Sequence, residues 1–197
     1  MLKVQGKTIG VAMTGSLCTI GRVLPHIEEL VRQGAKVIPV FSQTVACTDS
    51  KYGTAAALKE KVEAITNSRV ITTLVDVEPL GPGRVLDVIA VVPCTGNTMA
   101  KIANAITDGP VTMAVKAHLR NSRPVVISIS TNDGLSLNAK NLGTLLAARN
   151  IYFVPFRQDN PRAKPYSIDA ELSLLLPTIE SALDGVQLQP LLLGEKA

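Results

Sequence analysis

From Leu86 to Val92 every residue is apolar except Asp87, and Pro93 follows. A strand with one wet face would alternate. An unbroken run reads as a strand buried on both faces, as in a parallel sheet. Cys94, Thr95, Gly96 and Asn97 then form a short polar turn. Beyond it Met99, Ile102, Ala103 and Ile106 recur at helical spacing, one apolar stripe of a helix. Asn97 or Thr98 is suited to cap that helix, and Gly96 allows close backbone approach to a ligand. Such a strand–turn–helix directs unsatisfied N–H groups at the carboxyl edge of a sheet, where open α/β folds bind ligands.

The rest of the chain repeats this unit. Thr8–Thr14 reads as a strand, Gly15 and Ser16 as a tight turn, and Ile20, Val23, Leu24, Ile27, Leu30 and Val31 as the buried stripe of a helix ending at Gly34. Lys36–Phe41 is a second strand, followed by Ser42, Gln43 and Thr44. A helix over Ala55–Ile65 and a short strand over Val70–Leu74 precede a Pro/Gly loop, Glu78–Arg84. After the central strand come a helix over Val111–Leu119, a strand over Pro124–Ile129, a polar turn from Ser130 to Asp133, a helix over Leu137–Arg149 and a strand over Ile151–Val154. Six strands alternating with helices predict a three-layer α/β fold with a doubly wound, mostly parallel sheet. One domain over residues 1–185 is expected, with a tail over 186–197 that is loose or docks on a neighbouring subunit.

Composition narrows the function. Aromatic residues make up 3% and Trp is absent, so the stacking rings of a single-strand nucleic-acid binder are missing. The net charge of +4 is spread along the chain, which suits anionic small molecules better than a nucleic-acid backbone. No apolar run reaches the roughly 18–20 residues of a membrane span. The first strand starts directly after Lys3 and Lys7 without a secretory cleavage pattern, so the cytoplasm is the expected location. Cys18, Cys47 and Cys94 are expected to be reduced, and no zinc spacing is present.

Four strand ends present hydroxyls and amides on one edge: Thr14, Gly15 and Ser16; Ser42 and Thr44; Cys94 to Thr98; and Ser130, Thr131 and Asn132. The first turn offers N–H groups and hydroxyls to a phosphate, although neither G-x-G-x-x-G nor a P-loop lysine is present. Ser42 is most simply a helix cap. His26 and His118 fall on helices at charged positions and read as solvated. Cys94 precedes a helix N-terminus, which would lower its pKa. The segment Pro155–Ser167 has three prolines together with Arg157, Arg162 and Lys164, and reads as a lid loop. Ser167 would cap the last helix, which runs to about Leu183 with a kink at Pro177.

Pro93, Cys94, Asn97, Thr98, Ile102, Ala103 and Asn104 reproduce a Pro-Ala/Cys-Ser-x-x-Thr turn followed by an Ile-Ala-Asn helix. On these residues the chain resembles the flavoprotein family that includes flavin-dependent cysteine decarboxylases and flavin prenyltransferases. The likeness extends from about Lys7 to Leu183. Pro165, Ser167, Ile168 and Asp169 repeat the family's Pro-x-Ser/Thr-Ile-Asp signature after the lid. The resemblance implies a Rossmann-like flavoprotein fold and FMN as cofactor. It implies that Thr14, Gly15, Ser16, Ser42, Thr44, Pro93, Cys94, Thr95, Gly96, Asn97, Thr98, Ser130, Thr131 and Asn132 contact it. It further implies a homo-oligomer and the role of small subunit in an oxidoreductase, beside a larger partner subunit that carries NADP.

The chain also departs from that family. Residues 43–92 contain no His, where the cysteine decarboxylases have a catalytic one. Ser130, Thr131 and Asn132 stand where the prenyltransferases have an Arg. In the lid, Arg162 and Lys164 could hold a small dicarboxylate substrate by paired hydrogen bonds. The catalytic group is not identified. A non-catalytic subunit that keeps the fold, or a free-standing FMN-dependent prenyltransferase or decarboxylase, are the alternatives.

Overall fold

The computed structural model describes residues 3–83 and 85–194. Its seven-stranded sheet is built around the central apolar run, now strand β3 (Val88–Cys94), buried at every position. Parallel neighbours are β1 (Thr8–Met13) on one side and β4 (Val125–Thr131) on the other. β2 (Lys36–Phe41) lies outside β1, and β5 (Ile151–Phe153) pairs with the first half of β4. The parallel order is therefore β2-β1-β3-β4-β5, which reverses direction between β1 and β3. That reversal opens a crevice at the carboxyl ends of these two strands.

Helices cover both faces. α1 (Leu17–Arg32) and α8 (Leu175–Leu183) pack together on one side. α5 (Gly96–Ala103), α6 (Pro110–Leu119) and α7 (Ala139–Leu146) pack on the other. α1 continues through Pro25, because burial of Ile20, Val23, Leu24, Ile27 and Leu30 outweighs the lost hydrogen bond. α2 (Gln43–Cys47), α3 (Ala55–Thr66) and α4 (Leu74–Val77) complete the helical layers.

Several expectations are corrected. The strand expected over Val70–Leu74 shrinks to one bridge, Val40 to Ile71, before α4 starts at Leu74. The lid loop is a β-hairpin, β6 (Phe156–Asn160) and β7 (Lys164–Ala170). β7 runs antiparallel to the last two residues of β4, Ser130 and Thr131. Ser167 therefore lies in β7, donating to the Thr131 carbonyl at 3.3 Å, and does not cap the last helix. Pro177 falls in the first turn of α8, where its missing N–H costs nothing. Of the tail expected over 186–197, residues 195–197 lie outside the described residues, and residues 186–194 dock on their own chain: Gln187 exchanges side-chain bonds with the Phe153 backbone, and Leu191 and Leu193 bond Phe156.

Candidate functional site

β3 does not end at Pro93 but passes through it with a register shift to Cys94. The helix cap is consequently Thr95, not Asn97 or Thr98: its hydroxyl accepts from the Thr98 N–H at 3.2 Å. Thr14 ties this turn to β1. Its buried hydroxyl donates to the Pro93 carbonyl at 2.7 Å and accepts from the Thr95 N–H at 2.9 Å. At the start of α5 the N–H groups of Gly96 and Asn97 have no intrahelical partner, and among the described residues the exposed Asn97 amide has no side-chain partner either.

The carboxyl edge divides into two clefts on either side of the β1–β3 ridge. The first, about 310 Å³, brings together Gly15, Ser42, Thr44, Thr95, Asn97 and Thr98. Ser42 caps α2 through a 3.4 Å bond from the Val45 N–H. Gly15 lies so close to Thr44 that a Cβ would stand 2.9 Å from its methyl group. At the rim Lys101 binds Asp108 at 2.8 Å, and this bond holds the Asp108 carboxyl below its usual range.

The second cleft, about 280 Å³, holds Ser16, Ser130, Thr131 and Asn132, with Lys164 at its edge. Here three hydroxyls form a triangle. Ser16 and Ser130 are 3.0 Å apart, and Thr19 of α1 reaches Ser130 at 2.9 Å and Ser16 at 3.0 Å. Lys164 is bound to Asp159 at 2.8 Å, which raises its pKa. Arg162 is exposed, carries no side-chain partner among the described residues, and lines a separate cleft of about 560 Å³ under the hairpin. Arg162 and Lys164 thus line different clefts, with Asp159 common to both.

Thr14, Pro93, Cys94 and Gly96 lie buried beneath these clefts. Burial dominates at Cys94: it pushes the thiol up to about 12, against the lowering expected from the helix N-terminus. Cys18 and Cys47 are exposed. A thiol reagent in excess should therefore modify two thiols of the native chain rapidly, and the third only on unfolding. Three fast thiols would contradict the burial of Cys94.

Sequence reasoning missed the network beneath Gly96. Asp133 accepts from the Thr131 hydroxyl at 2.6 Å and from the Asn138 amide at 2.7 Å. Asn138 in turn accepts from Asn141 at 2.8 Å, and Asn141 from Asn104 at 3.1 Å. It also missed Thr19 and Arg22, whose partners Ser130 and Asp169 are more than a hundred residues away in the chain. No group of three or more His, Cys, Asp or Glu suited to a metal occurs among the described residues.

The family model described as Flavoprotein matches residues 2–172. The chain belongs to the flavoprotein family. A dipicolinate synthase subunit of Bacillus subtilis (strain 168) is 50% identical over 192 residues, covering 98% of this chain and 96% of that protein. The crystal structure of a dipicolinate synthase subunit from Bacillus halodurans C superposes with a TM-score of 0.90 at 48% identity, covering 98% of this chain and 99% of that one. A more distant flavoprotein, the FMN-dependent cysteine decarboxylase SpaF, shares the fold at a TM-score of 0.61 and 21% identity, over 93% of this chain and 97% of that one. The three-layer α/β expectation is thus met, with seven strands instead of six.

Proposed function

We propose that this chain is the small subunit of a dipicolinate synthase. It binds FMN and, with a larger NADP-linked subunit, oxidises a dihydrodipicolinate-type precursor to pyridine-2,6-dicarboxylate, the aromatic dicarboxylate of bacterial spores. Half of its residues match a relative of that name along nearly its whole length. The observation that carries the cofactor assignment is the open donor set of the first cleft: the N–H group and side-chain amide of Asn97 and the Thr44 hydroxyl. Donors without acceptors suit a phosphate and sugar hydroxyls. Among the described residues the one carboxylate lining that cleft, Asp108, is neutralised by Lys101.

In this reading Gly15, Ser42, Thr44, Thr95, Asn97 and Thr98 hold the phosphate end of the cofactor. Ser16, Ser130, Thr131 and Asn132 form the second wall, and the buried Pro93, Cys94, Thr14 and Gly96 support both. A bound flavin supplies an acceptor for the two electrons that leave when a dihydro ring becomes aromatic. The chain binds, orients and keeps water from the reacting ring, and the Ser16–Thr19–Ser130 triangle holds exchangeable protons at its border.

A second reading, a subunit that only stabilises its partner, is favoured by the cations of the two strand-end clefts: Lys101, Lys164 and Arg22 are all taken up in ion pairs. A visible absorption spectrum of the purified chain, recorded before and after loading with FMN and removing the excess, separates the two. The expected result is a retained flavin band, with affinity reduced about tenfold in Asn97→Ala, the equivalent of one lost hydrogen bond to a charged group. Failure of the native chain to retain FMN at all would reject the cofactor assignment and leave the second reading.

A further inference from the structure

A cleft of about 560 Å³ lies away from the strand ends, beneath the hairpin, between β6, β7 and Arg22 of α1. We infer that this cleft is a carboxylate-binding site gripped by Arg157 and Arg162. The choice of a dicarboxylate as its ligand rests on the dipicolinate reading above.

The hairpin's register builds the cleft. Arg157 stands opposite Asp169, and both line the cleft with Asp159, Glu171 and Arg22 of α1. Each acidic group there already has a cation. Arg22 of α1 holds Asp169 at 2.9 Å, Arg157 holds Glu171 at 3.2 Å, and Lys164 holds Asp159 at 2.8 Å. Three arginines and three carboxylates line the cleft; because Lys164, from outside that lining, takes Asp159, Arg162 is left among the described residues as the cation without a partner.

A second observation points the same way. Arg157 engages Glu171 through Nη2 alone, while its Nε is buried with no acceptor. A buried donor without an acceptor is unfavourable and uncommon in folded proteins. The planar edge of a guanidinium that offers Nε together with an Nη accepts one carboxylate in two parallel bonds. With Arg157 turned so that this edge faces the cleft, one carboxylate of a small ligand would complete it, and the ligand's other charge would meet Arg162. The cleft shares Arg22, Asp159 and Asp169 with the strand-end cleft that holds Ser16 and Ser130. A ligand anchored under the hairpin therefore lies beside the hydroxyl triangle, not in remote solvent.

The test is titration calorimetry of the intact chain with pyridine-2,6-dicarboxylate in metal-free buffer, and with pyridine-2-carboxylate as the single-carboxylate comparison. The native chain should bind the dicarboxylate, and bind the monocarboxylate at least about tenfold more weakly. Arg162→Gln, at an exposed unpaired side chain, and Arg157→Gln should each weaken the dicarboxylate by about tenfold or more. Arg120→Gln, an exposed cation at the far end of α6, should change nothing. Because Arg157→Gln releases Glu171, its thermal midpoint is measured alongside, and Arg162→Gln decides the matter if that variant does not fold. No binding by the native chain overturns the inference. So does equal weakening by Arg120→Gln, which would reduce it to general charge attraction. FMN retention reports separately: flavin bound with no dicarboxylate binding rejects this site alone, and dicarboxylate bound with no flavin rejects the cofactor assignment alone.

Discussion

Gly96→Ala is expected to destabilise the chain by about 2–3 kcal/mol and to abolish flavin retention. The new methyl carbon would stand 2.5 Å from the Thr131 hydroxyl, 2.6 Å from an Asp133 oxygen and 2.7 Å from the Asn138 amide nitrogen. These are not loose ends that swing aside. Asp133 is bonded by both Thr131 and Asn138, and Asn138 is itself buried. Either the network breaks, leaving buried polar groups unpaired, or α5 withdraws and carries the open donors of Asn97 out of the cleft. Gly143→Ala is the matched comparison: it lies in α7 with nothing within 4 Å of its Cβ, and should stabilise by roughly 0.5–1 kcal/mol. Thermal unfolding and the flavin spectrum read both. A Gly96→Ala protein with native midpoint and native flavin content would remove the cradle argument.

The second large effect is on acid stability, and it comes from His118. Its ring is buried with Nε2 unpartnered. Burial, helped by the nearby Arg123 guanidinium, pushes its pKa down to about 4, against the raising effect of the Pro124 backbone bond and Asp87. The unfolded chain binds this proton near pH 6.5. A depressed folded value means that the stabilisation is complete above pH 6.5 and is lost as pH falls toward 4. Between pH 7.5 and pH 5 the loss amounts to about 2 kcal/mol, in a window where ordinary carboxylates stay ionised. His118→Leu should flatten the pH dependence of the urea midpoint over that interval. An unchanged slope in the variant would assign the acid sensitivity to other groups.

Most of the parallel sheet was legible in the sequence, because burial on both faces writes strands as uninterrupted apolar runs. β1, β2, β3, β4 and β5 all lie where such runs fall. The hairpin was not legible. β6 is Phe156 followed by Arg157, Gln158, Asp159 and Asn160, a strand whose outer residues meet water and so carry no apolar pattern. The cap of α5 lies earlier than the sequence suggests: the strand runs on through Pro93 to Cys94, and Thr95, directly after it, caps the helix through its hydroxyl, so the turn is shorter than four polar residues imply. His118 reads as solvated between Lys116 and Arg120. The readable signal is its spacing from Val111 and Val115, which places it on the buried stripe of α6. The strand-end residues are legible as a set. Their division into two clefts is not, because it depends on the Thr14–Thr95 tie across the ridge. The Arg22–Asp169 pair joins α1 to β7 across most of the chain and leaves no local trace.

The three outer margins of the sheet, β2, β5 and β6, are covered by different means, and at β5 the Gln187 side chain takes both backbone groups of Phe153. Along β2, Pro39 occupies a position whose N–H would point outward, so that site has no donor to offer, while its carbonyl and the Phe41 N–H are taken by Ile71. Along β6, the C-terminal segment takes both backbone groups of Phe156, and the residues beyond it are charged or amidic. Strand-by-strand accretion, the usual route from a wide apolar sheet to fibrils, is thereby hindered at each of the three margins, and contacts between copies of this chain are steered toward side chains on helices and loops.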